Sequence, residues 1–246
     1  MIERAIHTAQ TESTTFIVMM KRALKHRNFV AFLCLFTSII TTVSIMIASI
    51  PYIVRFILNE EAIVESYLLL GFIVTGLISV PIWAKITQKL GDFKKIFIIA
   101  TILTVFLTIP FYFVNSLIFA IVGIALIGIG MVGISVLVFP IFGDLLDEAT
   151  VRNGTRQESF YVGIRALFAK VSIIIQAVTF GLIHIFMGFE PGLATQSPRA
   201  IIGLRIQLTI IPIILLLIGV AIFWKFYDLT PEKKEGIKKK LKELDL

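Results

Sequence analysis

Two cations interrupt an otherwise apolar stretch in the second half of the chain. Between residues 160 and 188, Arg165 and Lys170 are the only formally charged side chains. If this stretch crosses a membrane as a helix, Lys170 lies roughly 16 Å inside, near the middle of a hydrocarbon layer about 30 Å thick. A lysine at that depth needs a water-filled cavity or a carboxylate partner, because its side chain is too short to reach water. Such a residue indicates a substrate or coupling-ion pathway. A structural lysine bonded to backbone carbonyls is the alternative.

The same helix carries further polar candidates, and a charged segment precedes it. Gln176 and Thr179 lie on its later turns, where they either line the pathway or bond to a neighbouring helix. Just before it, Asp144, Asp147, Glu148, Arg156 and Glu158 cluster within fifteen residues. None of the 16 Asp and Glu residues falls in the middle of an apolar stretch. We therefore expect the partner of Lys170 to come from another polypeptide or from the substrate.

Composition defines the class of protein. Of 246 residues, 57% are hydrophobic and 16% are charged, whereas soluble domains hold about 25% charged residues. The chain is therefore an integral membrane protein. The single Cys34 excludes an internal disulfide, and the three histidines are too scattered for a metal site (His7, His26, His184). No nucleophile–base set or Gly-rich phosphate loop is present, so we expect neither an enzyme nor a bound cofactor.

Hydropathy predicts an all-α fold with six transmembrane helices in a 29–227 bundle. The predicted spans are 29–58, 67–83, 96–114, 117–142, 160–188 and 206–227. Pro51 predicts a kink in the first, and four glycines of the fourth predict close helix packing (Gly123, Gly128, Gly130, Gly133). Residues 1–28 form a linker with an amphipathic helix, either on the membrane surface or solvated. Residues 228–246 form a charged tail.

The distribution of Lys and Arg predicts the orientation. Eighteen of the Lys and Arg residues lie in segments assigned to one side of the membrane. Only Arg55, Arg199 and Arg205 lie in segments or helix ends assigned to the other side. By the positive-inside rule, both termini are cytoplasmic in a multi-pass protein of the cell membrane. The net charge of +7 is therefore a feature of topology, and we expect no nucleic-acid partner.

Four motifs are similar to one transporter family. They are WAKITQKLGDFKK, GDLLDEATVRNGTRQESFYVGIRALFAK, QSPRAIIGLRIQLTIIP and FYDLTPEKKEGIKKKLKEL. Together they span nearly the whole chain, which resembles the C-terminal half of the glycoside–pentoside–hexuronide:cation symporters. These are the melibiose-permease branch of the major facilitator superfamily. The resemblance implies one half of that fold, with two inverted three-helix repeats. The family has twelve helices, and the six N-terminal ones have no counterpart in this sequence.

The resemblance also implies roles for individual residues. Lys170 matches a lysine near the coupling-cation site, and Arg165 matches a position that faces the sugar cavity. Asp144, Asp147, Arg156 and Glu158 fall in an inner charge network that closes the cytoplasmic side; a solvated loop is the alternative. The implied function is cotransport of a sugar or related polar solute with Na⁺ or H⁺ by alternating access. The partners would be lipid, the solute, and an N-terminal half or a second copy. A non-transporting membrane scaffold and a lipid transporter of the same superfamily remain alternatives.

Overall fold

Six long helices account for most of the structure, a computed structural model that describes residues 18–243. The helices that are long and apolar enough to cross a membrane are α1 (Arg27–Leu58), α2 (Ile63–Leu90), α3 (Phe93–Phe113), α4 (Leu117–Asn153), α5 (Glu158–Met187) and α6 (Pro198–Phe226). A short helical stretch at 18–24 precedes α1, and a polar helix α7 (Pro231–Glu243) follows α6. No strand occurs within 18–243. The predicted all-α fold with six spans is confirmed.

Most helices are longer than hydropathy predicts. The chain stays helical through Pro51 and then forms a π-helical turn at Val54–Leu58. At α6 the difference is at the start of the helix, which is Pro198 and not residue 206. There the Ser197 side chain accepts a hydrogen bond from the backbone N–H of Ala200 at 3.2 Å, and Pro198 occupies the first helical position. This Ser-Pro cap starts a helix that has little apolar character in its first turns.

The packing of the six helices has an internal symmetry. Helix α1 packs against α5 and α6, and α4 packs against α2 and α3 in the same way. Helices α3 and α6 also pack against each other. The pattern is unchanged when α1, α2 and α3 are exchanged with α4, α5 and α6. Because each repeat has an odd number of spans, the second repeat runs through the membrane in the opposite sense. The fold is thus half of a major facilitator fold with two inverted repeats.

Equivalent side-chain hydrogen bonds support the two symmetric contacts. Between α2 and α4, the Thr75 hydroxyl donates to the carbonyl of Ala125 at 2.8 Å. Between α5 and α1, the Ser172 hydroxyl donates to the carbonyl of Thr37 at 3.2 Å. A hydroxyl that bonds to the backbone of a neighbouring helix is a common link where the surroundings are apolar.

The glycines of α4 permit close helix contact, as the sequence predicts. A methyl group added at Gly133 would lie 2.3 Å from the Trp83 ring, and one at Gly130 would lie 2.4 Å from the Thr104 hydroxyl. The corresponding distances are 2.6 Å from Gly128 to a backbone oxygen of α2 and 2.5 Å from Gly123 to the Phe111 ring. Only glycine permits this approach, so α4 is the central helix of its side of the bundle.

Helices α2 and α5 are the least covered by the rest of the chain. In the most apolar part of each helix, 22% of the residues of α2 and 6% of those of α5 are buried. The corresponding share in the other four helices is 44–61%. In α5 the buried side chains are Tyr161, Ile164 and Ser172, all on the side that faces α1. The two helices occupy equivalent places in the repeats, and each presents an open apolar surface.

Candidate functional site: a cationic cleft between α1, α4 and α5

The Arg165 side chain lies in a cleft lined by α1, α4 and α5. The cleft has a volume of about 440 Å³. The Arg165 guanidinium lies over three aromatic rings: 4.5 Å from the ring centre of Phe142, 5.5 Å from that of Phe139 and 5.8 Å from that of Phe36. These distances are within the range of cation–π attraction. No Asp or Glu of residues 18–243 forms an ion pair with Arg165. Within the described residues, its positive charge is therefore in contact with aromatic faces and not with a carboxylate.

Apart from Arg165, the cleft is almost entirely apolar. Ser135 is the other polar side chain in its wall, and its hydroxyl already donates to the carbonyl of Met131 at 2.9 Å. The remaining wall consists of aliphatic and aromatic side chains from the three helices. Few hydroxyl or amide groups of this chain are thus available to hydrogen-bond a neutral sugar. The strongest interaction that the cleft offers is with a negative charge.

A second cavity adjoins the cleft. It has a volume of about 170 Å³ and an entirely apolar lining from α1, α2, α4 and α6. Val43 and Met131 line both cavities, so the two are neighbours along the same face of α1 and α4. Together they combine one cation with an extended apolar surface. That combination suits a molecule with a charged end and an apolar part.

Lys170 lies on a different side of α5 from Arg165. Five residues in a helix correspond to roughly 140° of rotation, and Lys170 is about 180° from the buried Tyr161. Its side chain is exposed, does not line the cleft, and forms no ion pair with any of the acids in the described part of the chain. It therefore points away from the rest of this bundle.

Gln176 and Thr179 have different surroundings. Gln176 is half-buried and lies three helical turns beyond Arg165, on the same face of α5. The Thr179 hydroxyl donates to the carbonyl of Ile175 one turn earlier, at 2.7 Å. Of the four residues predicted for the pathway, Arg165 and Gln176 share a face, and Lys170 lies on another. Thr179 has its hydrogen bond satisfied within its own helix.

The four residues predicted for an inner charge network lie close enough for Asp147 to interact electrostatically with Asp144, Arg156 and Glu158, but ion pairs do not join all four. Asp144 forms an ion pair with Lys234 of α7, not with Arg156. Arg156 lies 3.7 Å from Glu158, and both side chains are more than half exposed. Asp147 is half-buried near Asp144. Helix α7 packs against α4, and this packing places Lys234 beside Asp144.

The tail and the start of α1 supply polar residues that sequence reasoning did not single out for a site. The buried His26 ring bonds to Glu148 at 2.7 Å, and the Asn28 amide donates to the same carboxylate at 2.9 Å. The Asn28 carbonyl oxygen accepts from the backbone N–H of Asp228 at 2.9 Å. Lys233 donates to Asp228 at 2.8 Å, and this hydrogen bond lowers the pKa of the Asp228 carboxyl. These bonds join α1, α4 and α7 on one face, over sequence separations that no local pattern reveals.

Lys234 has a second contact that fixes α7 in place. Its ammonium lies 4.3 Å from the centre of the Phe93 ring at the start of α3. Ile237 and Leu241, one and two turns later, pack on the same side of α7 against the bundle. The charged tail predicted from composition is thus a docked amphipathic helix.

Comparison with known proteins gives a consistent result. The family described as MFS/sugar transport protein matches residues 1–231. A glucuronide carrier protein homolog of Escherichia coli (strain K12) is 24% identical over 203 residues, which cover 81% of this chain and 43% of the relative. The uncharacterized symporter YnaJ of Bacillus subtilis (strain 168) is 26% identical over 196 residues, 79% of this chain and 42% of the relative. The sodium-dependent lysophosphatidylcholine symporter 1-A of Danio rerio is 23% identical over 179 residues, 72% of this chain and 34% of the relative. The chain spans less than half of the length of each.

Proposed function

The chain belongs to the MFS/sugar transport protein family, and from that premise we propose that it acts as one half of a secondary active transporter. Alternating access would rock this six-helix bundle against a second one, and the solute would bind between them. The open surfaces of α2 and α5 support this proposal, because the rest of the described chain leaves both helices largely uncovered. The second bundle would be carried by the same polypeptide, by a separate chain or by a second copy of this one.

The solute we propose is a sugar or related small polar molecule that bears a negative charge, such as a uronate. The single observation that carries this proposal is the Arg165 guanidinium, which faces the cleft without a carboxylate partner among residues 18–243. A guanidinium binds a carboxylate through two parallel hydrogen bonds, and a neutral hydroxyl cannot replace that pairing. The relative named as a glucuronide carrier homolog supports the same class of solute.

A second candidate solute is a lysophospholipid or a similar amphiphilic anion. The entirely apolar cavity beside the cleft favours it, because a sugar has no apolar part to fill that space. A phosphate group beside Arg165 with an alkyl chain along Val43 and Met131 would use both cavities. The relative named as a lysophosphatidylcholine symporter fits this alternative.

The coupling cation we propose is Na⁺ or H⁺, with Lys170 beside its site. An ammonium that faces the second bundle would repel a cation unless carboxylates from that bundle lie between them. We therefore place the cation ligands on the other bundle. Lys170 would then pair with those carboxylates when the cation is absent.

The test compares two solutes that differ at a single carbon. Uptake of methyl glucuronide and methyl glucoside is measured in cells that contain this chain together with the polypeptide that carries the other six helices. Loss of a charge-assisted hydrogen bond costs about 1.5–3 kcal/mol, so Arg165→Gln is expected to weaken glucuronide uptake roughly 10- to 150-fold. Glucoside uptake is expected to change little. Arg55→Gln, at the opposite end of α1, is the matched control and is expected to leave both unchanged.

Each outcome has a defined meaning. If Arg165→Gln reduces both solutes equally, Arg165 is structural and the anion proposal is wrong. If neither glycoside is taken up but a lysophospholipid is, in an Arg165-dependent way, the second candidate replaces the first. If no solute is taken up with either cation and the α2 and α5 surfaces bind no second bundle, the membrane-scaffold alternative replaces transport.

A further inference from the structure

A separate pocket lies on the face of the bundle that holds most of the basic residues. Its volume is about 330 Å³. It is enclosed by the segment before α1, the end of α4 and the first turn of α5, with a lining of Arg22, Lys25, His26, Arg152, Asn153 and Tyr161. Unlike the cleft around Arg165, its surface is mainly polar. None of these six side chains lines the cleft around Arg165.

Three positive charges converge on this pocket without a carboxylate to neutralise them. Arg22, Lys25 and Arg152 are exposed, and none forms an ion pair with an acid within residues 18–243. Glu148 adjoins the pocket through His26, and its two oxygens are bound by His26 and Asn28. The balance of charge around the pocket is therefore positive, as an anion site requires.

His26 provides a second, independent observation. It is 3% exposed, and its Nε2 bonds to Glu148 at 2.7 Å. Its Nδ1 is buried and has no hydrogen-bond partner in the described structure. A buried polar atom without a partner is costly, and a ligand is one way to satisfy it. With Nε2 bound to Glu148, Nδ1 is the ring atom left to hydrogen-bond a group in the pocket.

Topology and helix electrostatics account for part of this arrangement but not for all of it. Arg152 lies in the last turn of α4, and Arg22 and Lys25 lie at the end of the 18–24 helical stretch, where positive charge is favourable. The positive-inside rule also favours basic residues on this face. Neither effect requires three cations from two elements to enclose one cavity with the unpaired His26 nitrogen and the Tyr161 ring.

We propose that this pocket binds a phosphate group, as carried by the headgroup of an anionic phospholipid or by a free phosphate compound. The pocket lies at the first turn of α5, where the apolar stretch of that helix begins, and lipid headgroups would lie at this level of the bundle. Bound phosphate would be held by the two arginines and Lys25, and it would tie the segment before α1 to the α4–α5 connection. That role is independent of the transported solute.

The experiment counts lipids bound to the purified chain by native mass spectrometry. Phosphatidylglycerol and phosphatidylcholine are offered at equal concentration, and inorganic phosphate is tested separately through its effect on Tm. With about 1 kcal/mol for each basic residue, Lys25→Gln with Arg152→Gln is expected to weaken binding of phosphatidylglycerol roughly 30-fold. Lys85→Gln with Lys89→Gln, at the end of α2 on the same face, removes the same charge outside the pocket and is expected to have little effect.

The lipid-binding and inorganic phosphate measurements distinguish the two possible sources of the phosphate group. Selective binding of phosphatidylglycerol without a phosphate effect on Tm identifies a lipid headgroup site. An increase in Tm with inorganic phosphate that the pocket variant abolishes identifies a site for free phosphate. Equal loss in the pocket and control variants, or no preference over phosphatidylcholine together with no effect of phosphate, overturns the proposal. An unchanged Tm of each variant in plain detergent verifies that it is folded.

Discussion

The contact between Gly133 and Trp83 permits a quantitative test of the α2–α4 packing. A methyl group at Gly133 would lie 2.3–2.7 Å from three atoms of the Trp83 indole ring, closer than real carbon contacts allow. Trp83 is 5% exposed, and its Nε1 donates to the carbonyl of Ile129 at 2.9 Å. The ring is rigid and enclosed, so it cannot move aside without losing that hydrogen bond.

The expected cost of Gly133→Ala follows from three effects. Overpacking a close contact costs about 1–3 kcal/mol. Loss of the indole hydrogen bond adds about 0.6 kcal/mol, the average for such bonds between membrane helices. The higher helix propensity of alanine offsets about 1 kcal/mol of this. We therefore expect a net loss of roughly 1–3 kcal/mol in the free energy of unfolding.

Gly143 provides the matched control in the same helix. A methyl group at Gly143 would meet no atom within 4 Å. Gly143→Ala should therefore have only the effect of the higher helix propensity of alanine, which raises the free energy of unfolding by up to about 1 kcal/mol. Thermal unfolding can be followed with a thiol-reactive fluorophore at the half-buried Cys34, the one cysteine of the chain. For a protein of this size, 1 kcal/mol corresponds to about 2–4 °C in Tm. Gly133→Ala should thus lower Tm by roughly 2–12 °C, and Gly143→Ala should leave it unchanged or raise it.

A double-mutant cycle identifies the cause of the effect. In a Trp83→Ala background the ring is absent, so Gly133→Ala should cost much less than it does in the native chain. An equal cost in both backgrounds would show that the loss comes from elsewhere. If Gly133→Ala unfolds at the same temperature as Gly143→Ala, the close approach of α2 and α4 is wrong.

Three further predictions concern charge. Lys170→Met should leave insertion and expression near normal, because it removes an ammonium that costs ~3 kcal/mol or more at the bilayer centre. The same change should abolish cation-coupled uptake by the assembled transporter; uptake that survives would make Lys170 structural. Asp144→Lys should release α7, which is detectable as faster proteolysis of the tail. The exchange Asp144→Lys with Lys234→Asp should partly restore protection. Equal proteolysis in all variants would show that this ion pair does not hold the tail. In a chain without Cys34, a cysteine placed at Glu61 should react with an external impermeant reagent and one placed at Gly154 should not; the reverse pattern would invert the proposed topology.

The sequence is sufficient to predict the six helices because crossing a membrane requires a long apolar stretch, and hydropathy measures that directly. Helix ends are predicted less well. Helix α4 continues to Asn153, beyond the predicted end at residue 142, because its polar last turns form a helix outside the apolar layer. The start of α6 at Pro198 depends on the Ser197 cap, which hydropathy does not detect.

The candidate site is predicted in part. The spacing of Arg165 and Lys170 already implies different sides of α5, since five residues leave a rotation of roughly 140°. The cage of three phenylalanines around Arg165 depends on how α1 and α4 pack, which the sequence does not give. The Asp144–Lys234 contact joins residues 90 positions apart, and α7 is polar enough that the sequence predicts only a charged tail.

The two cations of α5 together argue that this helix borders another bundle. Lipid can cover the exposed leucines and isoleucines of α5 at no cost, but it cannot solvate the Lys170 ammonium near the membrane centre. One side of the helix is packed against α1 through Tyr161 and Ser172, and Arg165 faces the cleft. Lys170 lies on a third side, where Gly163 and Gly181 have no neighbour within 4 Å of an added methyl group. A polar protein surface that meets this side would supply a partner for the ammonium and contact the helix closely at both glycines. A bilayer would supply neither.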